Sequence, residues 1–91
     1  MTHVILYSTA LCPFCARAKR LLKKKGVAWE ELQVDRDQHL RQEMEQKTNS
    51  HEVPQIFIDG VHIGGYDALV ELDFEDALDP LLGIDGSTAA R

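Results

Sequence analysis

Cysteine, proline and long apolar runs are all scarce in this 91-residue chain, which holds two cysteines and three prolines. No apolar stretch approaches the roughly 20 residues that a membrane-spanning helix needs. Two cysteines cannot build the disulfide framework on which small secreted domains rely. Basic charge is also short: ten Lys and Arg face fifteen Asp and Glu, for a net charge of -5. A nucleic acid is therefore not expected as a main partner, because phosphate recognition needs a basic surface. Met1-Thr2-His3 runs straight into Val4-Ile5-Leu6 with no basic leader or small-residue cleavage site. The expectation is a cytoplasmic protein with no membrane association. Repeats, linkers and low-complexity segments are missing too.

What is present suits one small domain. The apolar share is 44%, ordinary for a single-core fold. His3 to Tyr7 reads as a buried strand followed by a loop, Ser8 to Leu11. Pro13 fits a first helical position, where its missing N–H has no intrahelical partner; Cys15, Ala18, Leu21 and Leu22 then recur at helical spacing until Gly26 stops the helix. Val27 to Val34 reads as a second strand. Asp35 or Asp37 is positioned to cap a second helix that runs to about Thr48, mostly exposed, with Leu40 and Met44 as its apolar anchors. Gln55 to Ile58 and Val61 to Ile63 form a hairpin around Asp59-Gly60. Gly64-Gly65 opens a helix with Ala68, Leu69 and Leu72 on one face, and Asp79-Pro80 reads as the cap and first residue of a last short helix through Leu82. Residues 1–83 are thus the folded domain and 84–91 a flexible tail. This order of elements is α/β, with two parallel strands joined by a right-handed crossover and then an antiparallel pair.

The chemistry centres on Cys12-Pro13-Phe14-Cys15. Two cysteines three apart at a helix start share one face, about 5 to 6 Å apart, so the pair can close and reopen as a disulfide. The loop leaving the first strand of an α/β unit is also where substrates sit. Cys12, at the helix N-terminus, meets unpaired N–H groups that favour a thiolate, which makes it the expected nucleophile. Cys15, one turn inside, is the expected resolving thiol. A zinc site is the competing explanation of the spacing, but zinc needs four ligands, and His3, His39, His51 and His62 are scattered; no metal is expected.

Tyr7-Ser8 before the cysteine motif, Val53-Pro54-Gln55-Ile56-Phe57-Ile58, and Gly64-Gly65-Tyr66-Asp67 follow one another in an order and spacing that resembles the bacterial dithiol glutaredoxins, from about His3 to Leu82. The resemblance implies a thioredoxin fold, a four-stranded mixed sheet flanked by helices. It further implies a glutathione-dependent thiol-disulfide oxidoreductase that acts on protein disulfides and glutathione mixed disulfides, with glutathione as reducing co-substrate, no bound cofactor and a monomeric state. Its catalytic residues are then Cys12 and Cys15. Its glutathione-binding residues are Pro13, Phe14, Val53, Pro54, Gly65, Tyr66 and Asp67, with Thr9 and His51 as further candidates. By the same resemblance Pro54 is cis and faces the cysteines. Read without it, Pro54 is an ordinary trans proline at a strand entry, and Asp67 is as readily a helix cap as a ligand group.

The chain departs from the family where positive charge often holds the glycyl carboxylate of glutathione: Thr9 replaces a common lysine, Ser50 an arginine and Glu52 a threonine, with His51 as partial compensation. One missing charge-assisted hydrogen bond, worth roughly 1.5 to 3 kcal/mol, weakens binding by about tenfold to a hundredfold. Two rivals follow: a carrier of the same shape reduced by thioredoxin reductase, and a glutathione-ligated iron-sulfur scaffold. Pro13 speaks against the scaffold by family analogy. The basic run Arg17, Lys19, Arg20, Lys23, Lys24 and Lys25 reads as a solvated helix face or as a docking face for acidic proteins. Tyr7 and Trp29 are expected in packing rather than chemistry.

Overall fold

In the computed structural model, which describes residues 2–84, the chain forms strand β1 (Val4–Ser8), helix α1 (Pro13–Lys24), strand β2 (Glu30–Gln33), helix α2 (Gln38–Thr48), strands β3 (Gln55–Ile58) and β4 (Val61–Gly64), helix α3 (Tyr66–Phe74) and the short helix α4 (Leu78–Leu81). The sheet order is β2-β1-β3-β4. β1 runs parallel to β2, with Tyr7 beside Leu32, and antiparallel to β3, with Val4 beside Ile58 and Tyr7 beside Gln55. β4 is antiparallel to β3. The sheet is mixed and four-stranded, flanked by helices, as expected.

Alternation along β1 and β3 divides the interior in two. Val4 and Leu6 with Ile56 and Ile58 face α1, α3 and α4 through Ala18, Leu22, Leu69, Leu78 and Leu82. Tyr7 and Phe57 point to the opposite face, where Met44 from α2 and Val34 join them. Strands covered on both faces show continuous apolar runs instead of an alternating pattern, hence Val4-Ile5-Leu6-Tyr7 and Ile56-Phe57-Ile58. On α2 Met44 is fully buried, while most other residues of that helix are partly or fully exposed.

Local chemistry fixes the element ends. α1 begins at Pro13. Asp37, not Asp35, caps α2 by accepting from the N–H groups of His39 and Leu40; Asp35 instead accepts from Ala10 N–H at 3.0 Å. Asp59 and Gly60 both lie in the left-handed region, φ 50° and 81°, which a two-residue hairpin connection requires. The second strand is shorter than expected because Val27 N–H still bonds to Leu22 O at the end of α1. Ser8 belongs to β1 rather than to the loop: it is buried, and its hydroxyl donates to Glu31 at 2.7 Å. Burial raises the Glu31 carboxyl, but that hydroxyl and the Lys19 ammonium at 3.1 Å outweigh it and hold the group below its usual range.

The expectation for Asp79-Pro80 needs correction. α4 starts at Leu78, with Ala77 at the N-cap position and no side-chain cap. The Asp79 carboxylate is engaged elsewhere: Lys25, just past α1, places its ammonium 2.7 Å from Asp79 and 2.6 Å from Asp73. A charged partner offers more than one backbone amide. Ile84 N–H bonds to Asp79 O, and Ile84 packs on the core; the rest of the expected tail, 85–91, lies outside the described residues. Among the described residues no helix is long and apolar enough to cross a membrane.

Lys25 therefore ties the end of α1 to the last two helices. Asp73 first, then Asp79, raise its pKa above the usual lysine value. Its contribution is complete below the unfolded-state pKa of about 10.4 and is lost as pH climbs through the higher folded value. Lys25→Met is expected to cost about 1 to 2 kcal/mol at neutral pH, and each kcal/mol lowers Tm by about 4 to 8 °C. In thermal unfolding the gap between wild type and variant should hold from neutral pH to mildly alkaline pH and narrow above about 10.4; a gap of constant size there contradicts the assignment.

Candidate active site

Strand directions gather the functional loops. β1 ends at Ser8; β3 is antiparallel to it and so begins at that same end with Gln55; β4 reverses again and finishes there with Gly64. The loop before α1, the segment 50–54 and the start of α3 consequently converge at one edge of the sheet, outside the carboxyl end of β1.

Cys12 is the N-cap of α1, with extended backbone (φ -137°, ψ 103°), and its sulfur accepts the Cys15 N–H at 3.1 Å. This sulfur stands where an oxygen commonly caps a helix, facing amides that helical bonding leaves free. It also lies 3.9 Å from the Val53 carbonyl. Cys12 is partly exposed, whereas Cys15 is 1% exposed and packed beneath the helix. Burial, then the adjacent Cys12, push the Cys15 thiol up to about 12; the Thr9 backbone and Lys19 oppose this more weakly. Both cysteines are free thiols. One sulfur is thus presented outward and its neighbour is kept protonated within reach.

Beside the cysteines runs an open groove of about 420 Å³, lined by Phe14, Glu52, Val53, Pro54, Gln55, Gly65, Tyr66, Asp67 and Ala68. The Val53–Pro54 peptide is cis. Gly64 has φ +124°, which an L side chain rarely adopts, and a methyl group at Gly65 would stand 3.3 Å from the Pro54 carbonyl. The double glycine therefore lets the start of α3 close against the proline loop. Gly65 is the N-cap of α3, and no side chain caps that helix; Asp67 lies exposed in its first turn. Asp67 is accordingly not the cap, and both its carboxylate and the first amides of α3 are left for something outside the helix. Phe14 is half-exposed and sits 6.1 Å, ring to ring, from Tyr66.

Of the residues expected at the site, Phe14, Val53, Pro54, Gly65, Tyr66 and Asp67 meet around this groove, with Cys12 joined to it through Val53. Pro13, Thr9 and His51 do not line it. Glu52, expected only as an unfavourable replacement, is on the wall itself. Gln55 was missed: it is buried, its side-chain amide donates to the Glu52 carbonyl at 3.1 Å, and its side-chain oxygen meets His62 Nε2 at 2.7 Å. His62 in turn stacks on Phe57. A polar residue directly after Val53-Pro54 and inside an apolar strand was the available signal, since a buried amide must find partners. Among the described residues no group of three or more His, Cys, Asp or Glu side chains is arranged to hold a metal ion.

Comparison with known proteins agrees with this geometry. The glutaredoxin family model matches residues 4–63. Glutaredoxin 3 of Escherichia coli (strain K12) is 49% identical over 82 residues, covering 90% of this chain and 99% of that protein. The solution structure of glutaredoxin from Brucella melitensis superposes with a TM-score of 0.80 at 45% identity, over 90% of this chain and 89% of that one. The crystal structure of a buckwheat glutaredoxin-glutathione complex gives a TM-score of 0.82 at 29% identity, over 88% and 76% respectively. A paired-cysteine helix start, a proline loop and a glycine-opened helix on a thioredoxin fold, together with these matches, make the chain a member of the glutaredoxin family, the thiol-disulfide oxidoreductases.

Proposed function

We propose that the protein reduces protein disulfides and glutathione mixed disulfides with glutathione as the electron donor, using Cys12 as nucleophile and Cys15 as resolving thiol. The observation that carries this reading is the asymmetry of the two sulfurs: Cys12 partly exposed with an amide aimed at it, Cys15 buried and held protonated to about 12.

In the mixed-disulfide route the Cys12 thiolate attacks the glutathione sulfur of the substrate. The substrate's S–S bond breaks, a Cys12–glutathione S–S bond forms, and the substrate cysteine leaves as a thiolate that takes a proton from water. A second glutathione thiolate then attacks the glutathione sulfur, releasing oxidised glutathione and restoring the Cys12 thiolate. In the dithiol route Cys12 instead attacks a protein disulfide, and Cys15 loses its proton and displaces the product from the mixed disulfide, leaving Cys12–Cys15 oxidised. Two glutathiones reduce it again. Phe14, Val53, Pro54, Gly65, Tyr66 and Asp67 form the groove assigned to glutathione: Asp67 suits its ammonium, and the uncapped amides of α3 suit its γ-glutamyl carboxylate. The buckwheat protein, similar in fold, forms a complex with glutathione. Pro13 starts α1 and so sets Cys12 at the helix end. Thr9 and His51 lie off the groove and have no assigned contact.

Glu52 on the groove wall favours the rival reading, a carrier reduced by thioredoxin reductase, because it opposes the glycyl carboxylate. Supplying oxidised protein with either reduced glutathione or thioredoxin reductase separates the two: turnover with glutathione is expected, and turnover with the reductase alone overturns the proposal.

Two further outcomes are expected. Cys12→Ser should abolish all exchange, while Cys15→Ser keeps deglutathionylation through the one-cysteine route and loses reduction of protein disulfides. Alkylation read by mass spectrometry should label only Cys12 in wild type at neutral pH, with Cys15 reacting as pH nears its value of about 12; equal loss in both variants, or equal labelling, contradicts these roles. Glu52→Thr should lower the KM for glutathione-linked substrates by about tenfold, with kcat little changed; an unchanged KM places Glu52 outside the binding contact.

A further inference from the structure

A second groove meets the first at Tyr66. It lies between α1 and the start of α3, has a volume of about 330 Å³, and is lined by Arg17, Arg20, Leu21, Lys24 and Tyr66. Arg17, Arg20 and Lys24 recur at i, i+3 and i+7, so they form a single stripe along α1. All three are exposed. Lys19 is engaged with Glu31 and Lys25 with Asp73 and Asp79, but among the described residues Arg17, Arg20, Lys23 and Lys24 make no ion pair, and of these four only Lys23 does not line the groove. Unpaired positive charge concentrated in one groove is unusual in a chain whose net charge is -5.

The two grooves join at Tyr66, which lines both. Phe14 lies against Tyr66, and the Arg17 guanidinium sits over the Phe14 ring at 5.4 Å. Their charges have opposite sign: Glu52 and Asp67 flank the first groove, and three cations flank the second. A mixed disulfide has two substituents on its sulfurs, so a site that handles it needs two exits from the reacting sulfur. Accepting the reading of Cys12 as nucleophile and of the first groove as the glutathione site, the second exit is the one left for the protein half of the substrate.

We propose that the α1–α3 groove docks the polypeptide half of the substrate and selects segments with acidic residues flanking the reacting cysteine. Arg17, Arg20 and Lys24 supply the charge, and Leu21 with Tyr66 supplies the apolar floor. Such steering acts on association and weakens with salt.

The test has two arms. In the first, reduced ¹⁵N-labelled protein is titrated with a cysteine-free peptide of alternating glutamate and serine, and with a lysine and serine counterpart. The acidic peptide should shift amide resonances over 17–24 and at Tyr66. The shifts should fade as ionic strength rises from about 0.01 to 0.15 M, where the screening length falls from about 30 to 8 Å, and should vanish in Arg20→Glu/Lys24→Glu. Shifts elsewhere, or the same shifts with the lysine peptide, overturn the proposal. In the second arm, peptides with a glutathione-capped cysteine between glutamates or between lysines are compared with the mixed disulfide of glutathione and 2-mercaptoethanol. The charge-reversed protein should lose about tenfold in kcat/KM on the acidic peptide and keep its rate on the small disulfide. An equal effect on both peptides refutes acidic selection. Failure of wild type on all three substrates counts against the catalytic reading alone, since the titration maps the groove without any redox step.

Discussion

The arrangement depends on how the first turn of α1 is held: Cys12 must lie outside the helix while Cys15, three residues later, lies under it. That division is fixed by contacts further along the helix. Ala18 and Leu22 are buried against β1 and β3, and Lys19 reaches Glu31 on β2. Rotation of α1 toward solvent would expose Cys15 and turn Cys12 away from the Val53 carbonyl. The different environments of the two sulfurs are thus a consequence of core packing and one ion pair, expressed at a helix terminus.

The proline loop is held with comparable economy. Gln55 occupies the first position of β3, opposite Tyr7, and its side-chain amide turns back to the Glu52 carbonyl while its oxygen meets His62 on β4. A buried amide left unpaired costs about 1 to 3 kcal/mol, so the loop conformation that satisfies Gln55 is the one retained. The same edge of the sheet therefore supplies both the groove wall and the hydrogen bonds that shape it.

Much of this was legible from local patterns. Pro13 and Gly26 bracket α1, Asp59-Gly60 marks the hairpin, and the apolar runs of β1 and β3 identify strands covered on both faces, because each signal acts within a few residues. The misreadings share a cause of the opposite kind. Asp79 looked like a cap until Lys25, 54 positions earlier, claimed its carboxylate. Ser8 looked like loop because its partner Glu31 belongs to another strand. Thr9 and His51 were the candidates in sequence and Glu52 only an unfavourable replacement, yet of the three it is Glu52 that reaches the groove wall. Which side chain of a loop faces inward is set by the strands at its ends, and neither composition nor spacing encodes that.

Charge around the first groove is less unfavourable to an anionic ligand than Glu52 and Asp67 suggest. The N-terminus of a helix carries the equivalent of about half a positive charge, concentrated on amides with no intrahelical acceptor. α3 has no side chain capping those amides, so their positive potential is aimed outward beside Asp67. On the proposed glutathione reading, a ligand bearing an ammonium and a nearby carboxylate meets both signs within the first turn of α3, and Glu52 is the other acidic residue lining the groove. On the proposed reading, the first turn of α3 suits a zwitterionic head, and Glu52 opposes an anionic tail. Exposed charges are screened beyond about 8 to 10 Å at physiological ionic strength, so on that reading the repulsion stays local to Glu52.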